Sequence, residues 1–161
     1  MKEDARQMAK NVLPKGEILP LTVPSFRRYG CIIEYPQKEK KGTVRNLWRI
    51  VHTESAKVGW RIAYLVLRDK SVGRLECHPF SDESFEPVRG SALLFVAQER
   101  NPAVVQCFAL DRAVILKKGI WHGVVTVTPE TEIKITENAR VVCRYWPLGY
   151  RLRHPRDLLE A

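Results

Sequence analysis

Short runs rich in valine and isoleucine, separated by turn residues, occupy most of this 161-residue chain. Such runs are typical of β-strands, and the segments QERNP (98–102) and KKG (117–119) between them predict turns. Ten runs of this kind are present: CIIEY (31–35), VRNLWRIVHTE (44–54), VGWRIAYLVL (58–67), RLECHP (74–79), SALLFVA (91–97), AVVQCFAL (103–110), AVIL (113–116), IWHGVVTV (120–127), TEIKI (131–135) and RVVCRYW (140–146). Because no helices intervene between them, the chain predicts an all-β antiparallel sandwich or barrel.

The flanking segments predict little additional structure. Residues 3–11 favour one short helix, so we expect residues 1–16 to form a peripheral extension. We expect residues 147–161 to form a C-terminal tail. In TVPSFRRYG (22–30), a threonine suited to capping, a proline suited to the first turn and a final glycine suited to the exit predict a single helical turn. No linker divides the chain, so we expect one domain spanning 1–161.

Composition excludes several classes of protein. Apolar residues make up 45% and charged residues 28%, which is typical of a globular domain. No apolar run approaches the roughly 20 residues that a membrane helix needs. The amino terminus MKEDARQMAKN has no apolar core, so we expect no secretory signal. The four cysteines are widely spaced and form no CxxC pair, which favours buried free thiols and a cytoplasmic location.

The net charge of +9 is the unusual total, with 27 basic and 18 acidic residues. Part of it lies in KEKKG (38–42) and more in ARVVCRYWPLGYRLRHPR (139–156), where aromatic residues interleave with arginines. That mixture can bind single-stranded nucleic acid, or it can raise solubility and attract anionic metabolites. Because no nucleic-acid recognition motif accompanies the charge, we do not expect nucleic acid to be a partner.

The stretch LECHPFSDESFEPVRG (75–90) carries the first candidate chemistry. In a strand, Arg74, Glu76 and His78 project from one face while Leu75 and Cys77 project from the other. A carboxylate and an imidazole held in this way can chelate a cation or divide acid–base work. They can equally be ordinary polar residues on a solvated strand.

The second candidate is His122. Of the four histidines, His52 and His154 lie in polar or basic stretches and predict exposed residues. His122 instead follows a turn and opens a strand in which it shares a face with Val124 and Thr126. Only a closed or doubled sheet would bring the strand of Glu76 and the strand of His122 together, which is the architecture predicted above.

The glycines and spacings resemble the two motifs of the cupin superfamily. The stretch Glu76-x-His78-x4-Glu83-x6-Gly90 is similar to the first motif, H-x-H-x(3,4)-E-x6-G, with a glutamate in place of the first histidine. The stretch Lys117-x-Gly119-x2-His122 is similar to the second motif, P-x-G-x2-H-x3-N. The resemblance implies a small antiparallel β-barrel, the double-stranded β-helix, with a divalent metal ion held by residues at Glu76, His78, Glu83 and His122.

Three segments also resemble the ureidoglycolate lyase family: LECHPFSDESFEPVRG, GIWH (119–122) and ILPLTVPSFRRYGCIIE (18–34). The chain departs from that family where it has Glu83 instead of glutamine, in KEKKGTVRN (38–46), and in TEIKITENAR (131–140). The family resemblance implies an enzyme that splits ureidoglycolate into glyoxylate and urea, in a pathway of purine or allantoin breakdown. It also implies a small anionic substrate and, as in many cupins, a homodimer.

The resemblance assigns roles to the candidate residues. If a metal ion is bound, its ligands are the glutamates and histidines of the two cupin-like motifs, namely Glu76, His78, Glu83 and His122. Without one, His78 or His122 is the general base and Glu83 the acid. Arg89, Lys117 and Arg61 are the candidate anchors for the substrate carboxylate. Two readings from other classes stay open: a non-catalytic barrel that binds a small anion or metal for regulation, and a nucleic-acid-associated module.

Overall fold

A computed structural model describes residues 17–40 and 46–154 of the chain. The predicted helix at 3–11 and the end of the predicted tail, 155–161, lie outside the described residues. Ten strands account for most of the regular structure: β1 (Gly30–Ile32), β2 (Trp60–Leu67), β3 (Ser71–Cys77), β4 (Glu83–Arg89), β5 (Ala92–Gln98), β6 (Asn101–Ala109), β7 (Val114–Leu116), β8 (Trp121–Thr126), β9 (Thr131–Asn138) and β10 (Arg144–Arg153).

The strands form two five-stranded sheets, ordered β1-β7-β4-β9-β2 and β10-β3-β8-β5-β6. Their antiparallel pairs are nested: β5 pairs with β6, β4 with β7, β3 with β8, and β2 with β9. Successive pairs alternate between the two sheets, so the chain behaves as one long hairpin wound into a double layer. This topology is the double-stranded β-helix, and it confirms the predicted all-β, cupin-like barrel.

Strand β5 contributes side chains to both hydrophobic clusters and so helps to hold the two sheets together. Its side chains alternate between two clusters of buried residues, since Leu94 and Val96 join one cluster and Leu93 and Phe95 the other. The first cluster also contains residues of β7 and β9 from the opposite sheet. A strand buried on both faces reads as a continuous apolar run, which is why ALLFVA shows no alternation in the sequence.

The helical turn lies where the sequence predicts it, as α1 (Val23–Phe26). The Thr22 hydroxyl accepts a hydrogen bond from the Ser25 backbone N–H, and Pro24 occupies the first turn. Gly30 does not end this helix but begins β1, where a Cβ atom would lie 1.7 Å from the carbonyl oxygen of Ile115. Close approach of β7 therefore requires this glycine. Within residues 17–40 and 46–154, no helix is long and apolar enough to cross a membrane.

The prediction of a strand at 44–54 is wrong for the residues that the structure describes there. Residues 46–54 have no regular secondary structure, and Trp48 and Ile50 are exposed. Apolar residues alone do not make a strand, because each strand also needs a hydrogen-bonding partner. None of the ten strands pairs with this segment.

The sequence predicts no strand between residues 79 and 91, but β4 begins in this interval at Glu83. Its sequence ESFEPVR contains a proline and several polar residues, so it lacks the apolar pattern by which a strand is predicted. The pairing of β4 with β9 shifts register between Pro87 and Arg89, so the proline is accommodated at an irregular position of the ladder.

The last strand lies further along the chain than predicted. The sequence predicted a strand at 140–146 and a tail from 147, whereas β10 runs from Arg144 to Arg153. The register of β10 against β3 shifts between Pro147 and Leu152, and this irregularity interrupts the alternation that a sequence pattern would reveal. Residues 147–153 are therefore part of the barrel.

Candidate active site

The two sequence motifs meet on neighbouring strands. Glu76 of β3 lies directly opposite His122 of β8 in the antiparallel register. The Gly119 N–H donates a hydrogen bond to the carbonyl oxygen of His78 at 2.9 Å, which ties the turn before β8 to the end of β3. Gly119 has a φ of 81°, a conformation that favours glycine. The strand pairing thus places Glu76, His78 and His122 in one cluster.

Glu83 reaches this cluster from the opposite sheet. Its Oε2 atom lies 3.2 Å from Nε2 of His78 and 3.0 Å from Nε2 of His122. All three side chains are buried, and one ligand atom from each lies within 4.8 Å of the others. Glu76 completes the set, since its Oε1 atom lies 3.5 Å from Nε2 of His78 and its side chain is partly exposed. The four residues predicted as metal ligands therefore come together.

Main-chain carbonyls set the orientation of both imidazole rings. The Nδ1 atom of His122 lies 3.1 Å from the carbonyl oxygen of Ile120, and Nδ1 of His78 lies 3.4 Å from that of Val142. A carbonyl oxygen only accepts, so each Nδ1 is the donor and each Nε2 is free to act as a ligand. This outer hydrogen bond is the arrangement that orients histidine ligands in metal sites.

Burial alone would raise the pKa of the Glu83 carboxyl, but contacts with His122 and His78 outweigh it and lower the pKa to about 2. For His78, burial opposes protonation, yet the nearby carboxylates of Glu83 and Glu76 raise its pKa. Glu83 is consequently ionised at neutral pH. An ionised carboxylate can accept a proton or bind a cation.

Glu137 and Arg61 stand beside the cluster. Glu137 of β9 is paired with Glu83 across the β4–β9 ladder, and Arg61 of β2 is paired with Glu137 across the next ladder. The Arg61 guanidinium donates to Oε1 of Glu137 from Nε at 2.9 Å and lies within 2.7 Å of it through Nη2. Strand register therefore brings Arg61 near the cluster. Sequence reasoning missed Glu137 because the predicted strand ended at Ile135; continuing its alternation by two residues places Glu137 on the buried face.

A cavity of about 410 Å³ opens between the two sheets next to the cluster. Glu76, Glu83 and His122 form part of its wall. Apolar side chains from six further positions line its interior: Leu65, Leu67, Val72, Phe85, Val124 and Ile135. A cavity with an apolar wall and a few convergent polar groups is the usual form of a small-molecule site.

The other two predicted substrate anchors lie elsewhere. Arg89 pairs with Glu130 and Glu132 on the exposed surface, at 3.1 and 2.6 Å. The Lys117 ammonium donates a hydrogen bond to the carbonyl oxygen of Arg27 at 2.7 Å. Neither residue lines the cavity, and Arg61 does not line it either.

The arginines that do line the cavity are Arg74 and Arg151. Arg74 lies on the cavity wall together with Glu76, on the face of β3 that the period of two predicts for both residues. Arg151 lies on β10, in the part of the chain that was expected to be a tail.

A second group of potential ligands overlaps the first. Cys143 is exposed, and its Sγ atom lies 3.6 Å from Nδ1 of His78. Glu76, His78 and Cys143 together could also hold a metal ion. The other cysteines are free thiols, with Cys77 and Cys107 buried as predicted and Cys31 partly buried.

The topology and the cluster of two histidines and two carboxylates define a cupin-like barrel. Residues 15–139 match the family model described as ureidoglycolate lyase. The chain therefore belongs to the ureidoglycolate lyase family. A ureidoglycolate lyase from Rhizobium leguminosarum bv. trifolii (strain WSM2304) is 29% identical over 121 residues, which cover 66% of this chain and 73% of that protein. A ureidoglycolate lyase from Brucella ovis (strain ATCC 25840 / 63/290 / NCTC 10512) is 27% identical over 118 residues, covering 64% and 70%.

Similar solved structures include two oxalate decarboxylases. One, from Bacillus subtilis and with Mn(II) centres, has a TM-score of 0.44 and 14% identity, covering 57% of this chain. The other, from Lactobacillus farciminis in complex with formate, has a TM-score of 0.43 and 15% identity, covering 65%. The chain spans only 24% and 29% of the lengths of these proteins.

Proposed function

We propose that the protein is a carbon–nitrogen lyase that eliminates urea from ureidoglycolate, or acts on a closely related small hydroxy acid, in purine or allantoin catabolism. The observation that carries the proposal is the convergence of two imidazole Nε2 atoms on one buried oxygen of Glu83. Membership of the ureidoglycolate lyase family supports the choice of substrate.

The reaction sets three chemical requirements. The substrate carbon bears a hydroxyl and a ureido nitrogen; the hydroxyl loses its proton, a C=O bond forms, the C–N bond breaks, and the departing nitrogen gains a proton. The products are glyoxylate and urea. The protein must therefore handle two protons and hold the carboxylate of the substrate.

The donor set fits a divalent cation. Within the described part of the chain, Oε2 of Glu83 is buried and accepts no hydrogen bond of acceptable geometry, although two Nε2 atoms face it. A neutral imidazole whose Nδ1 carries the proton presents a lone pair at Nε2, and a cation between the three atoms would satisfy all of them. We propose that His78, Glu83, His122 and Glu76 hold this ion. Such an ion, when bound, would coordinate an α-hydroxy carboxylate and lower the pKa of its hydroxyl.

If no cation binds, the same geometry makes the imidazoles the proton-transfer groups. The Nδ1 atoms of His78 and His122 face main-chain carbonyls, so each ring takes or gives a proton only at Nε2. Glu83 then stabilises the imidazolium as a counter-ion.

Arg61 is the proposed anchor for the carboxylate of the substrate. Strand register supports this choice, because Arg61 pairs with Glu137, Glu137 pairs with Glu83 across the next ladder, and Glu137 fixes the orientation of the guanidinium. A planar guanidinium suits two-point recognition of a carboxylate.

Turnover of ureidoglycolate tests the proposal. His78→Ala and His122→Ala should each lower kcat about 100-fold or more, because both rings act on the reacting centre. His52→Ala is the matched control: His52 pairs with Asp82 at 3.1 Å outside the cluster, and its removal should change kcat less than about threefold. Absence of turnover in the wild type, with binding of hydroxy acids retained, would instead favour a non-catalytic regulatory barrel.

We further propose a homodimer and a cytoplasmic location. An edge strand, β2, presents an exposed apolar face, which supports association of two copies. Four free cysteines support a reducing compartment.

A further inference from the structure

We infer that Arg74 and Arg151 form a second anion subsite, so that the cavity takes a hydroxy acid carrying a second carboxylate remote from its hydroxyl. The inference rests on the proposed function in one respect, that the hydroxy-acid end of the ligand lies at the His–Glu cluster. It goes beyond that function because ureidoglycolate has a single carboxylate.

Hydrogen bonds to Ser71 fix the Arg151 guanidinium and leave further N–H donors for a ligand. Its Nε donates to the Ser71 hydroxyl at 2.7 Å and its Nη2 to the Ser71 carbonyl oxygen at 3.0 Å. Its Nη1 makes no hydrogen bond within the described residues and lies 3.5 Å from where a Cβ on Gly73 would be. The guanidinium is thus fixed along one edge, which reduces the conformational entropy lost when a carboxylate binds the free nitrogen.

Arg74 is positioned by a residue of the same final strand. Its Cζ atom lies 4.4 Å from the ring centroid of Tyr145, a cation–π contact that orients the side chain without neutralising it. Strand β10 therefore supplies both Arg151 and the aromatic support of Arg74. This strand follows residue 139, where the match to the family model ends, so the subsite depends on a part of the chain outside that match.

The charge of these two arginines is not neutralised by ion pairs. Among residues 17–40 and 46–154, neither forms an ion pair with a carboxylate, whereas Arg61, Arg68, Arg89 and Arg112 all do. Asp69 also lines the cavity, but no ion pair joins it to either arginine. An unpaired guanidinium on the wall of a cavity is a ready partner for an anion.

The distance along β3 sets the length of the ligand. Arg74 is two residues from Glu76, roughly 7 Å along the strand, and Gly73, beside Arg151, is three residues away, roughly 10 Å. Apolar residues, including Leu65 and Val124, also line the cavity. A short aliphatic chain with a hydroxy-acid head at the cluster and a carboxylate at the arginines matches these features.

Two acids that differ only at the remote end test the inference. 2-Hydroxyglutarate and 2-hydroxyvalerate share the hydroxy-acid head and the carbon count, but only the first has a second carboxylate. We expect isothermal titration calorimetry on the full-length protein as purified, at fixed ionic strength, to give at least about tenfold tighter binding of 2-hydroxyglutarate. Arg151→Gln should remove most of that advantage, and the Arg74→Gln, Arg151→Gln double variant should abolish it.

Arg144→Gln is the matched control, because Arg144 is an exposed arginine of the same strand that does not line the cavity. It should leave the preference within about twofold of the wild type. Equal affinity of the wild type for the two acids, no binding of either, or a preference that survives the double variant would overturn the inference. Ureidoglycolate turnover is measured on the same preparations, so loss of the proposed activity is recognised independently of the binding preference.

Discussion

At the scale of single residues, the site depends on which nitrogen of each imidazole carries the proton. The carbonyl oxygens of Ile120 and Val142 face the Nδ1 atoms, and this turns both Nε2 atoms towards Glu83. The histidines could be anticipated from spacing alone, but their orientation could not, since the two carbonyls belong to a turn and a loop. A carboxylate buried between two imidazoles makes the pH dependence of stability a direct readout of the cluster.

Glu83→Gln should lower the free energy of unfolding of the metal-free protein at pH 6 and flatten its acid dependence. The pKa of Glu83 is about 2 in the folded state and 4.5 without perturbation, so its contribution is present above pH 4.5 and is lost as the pH falls towards 2. The shift corresponds to on the order of 3 kcal/mol. Urea denaturation across that range measures it, and parallel curves for the wild type and the variant would contradict the assignment.

The sign is opposite for His78. Its pKa is raised in the folded protein, so its contribution is present below pH 6.5 and is lost as the pH rises through the higher folded value. The contribution of Glu83 to the free energy of unfolding is complete above pH 4.5, and that of His78 is complete below pH 6.5. The pair therefore stabilises the folded protein most between these two pH values.

At the scale of strands, the regular elements could be predicted and the irregular ones could not. TEIKI alternates in the structure as it does in the sequence, with Ile133 and Ile135 buried, and β5 reads as a continuous apolar run. Strands β4 and β10 were missed or misplaced because a proline and a register shift interrupt each of them. Those two strands supply Glu83 and Arg151, so the least regular parts of the barrel carry much of its chemistry.

Leu152→Ala tests whether β10 belongs to the barrel. Leu152 is 2% exposed and packs in the cluster that contains Leu75 and Phe95, so truncation should lower the free energy of unfolding by about 2–5 kcal/mol. Leu148→Ala, on a partly buried residue of the same strand, should cost clearly less. A loss below about 1 kcal/mol for Leu152→Ala would be the result expected of an exposed tail.

At the scale of the whole molecule, net charge and one apolar face define what the surface can attract. The charge of +9 favours the approach of anions to the cavity. Strand β2, at the edge of its sheet, exposes Trp60 (70%), Ile62 (55%) and Tyr64 (55%) on one face. An open strand edge with an apolar face is a natural surface for a second copy of the chain.

Ile62→Arg should convert the proposed dimer to a monomer, as measured by light scattering coupled to size-exclusion chromatography. Burying a charge in an apolar interface is unfavourable unless a partner charge meets it. Val104→Arg is the control, since Val104 is 54% exposed on β6, one of the two edge strands of the other sheet. A wild-type monomer, or a dimer lost only in the Val104 variant, would contradict the role of β2.

We propose that His78, Glu83, His122 and Glu76 form a metal-binding catalytic cluster. Metal content measured by plasma mass spectrometry, in the wild type and in the His78→Ala, His122→Ala double variant, tests it most directly. We expect about one divalent ion per wild-type chain and none in the variant, because two of the four ligands are gone. No metal in either protein after incubation with divalent ions, or equal metal in both, would contradict it.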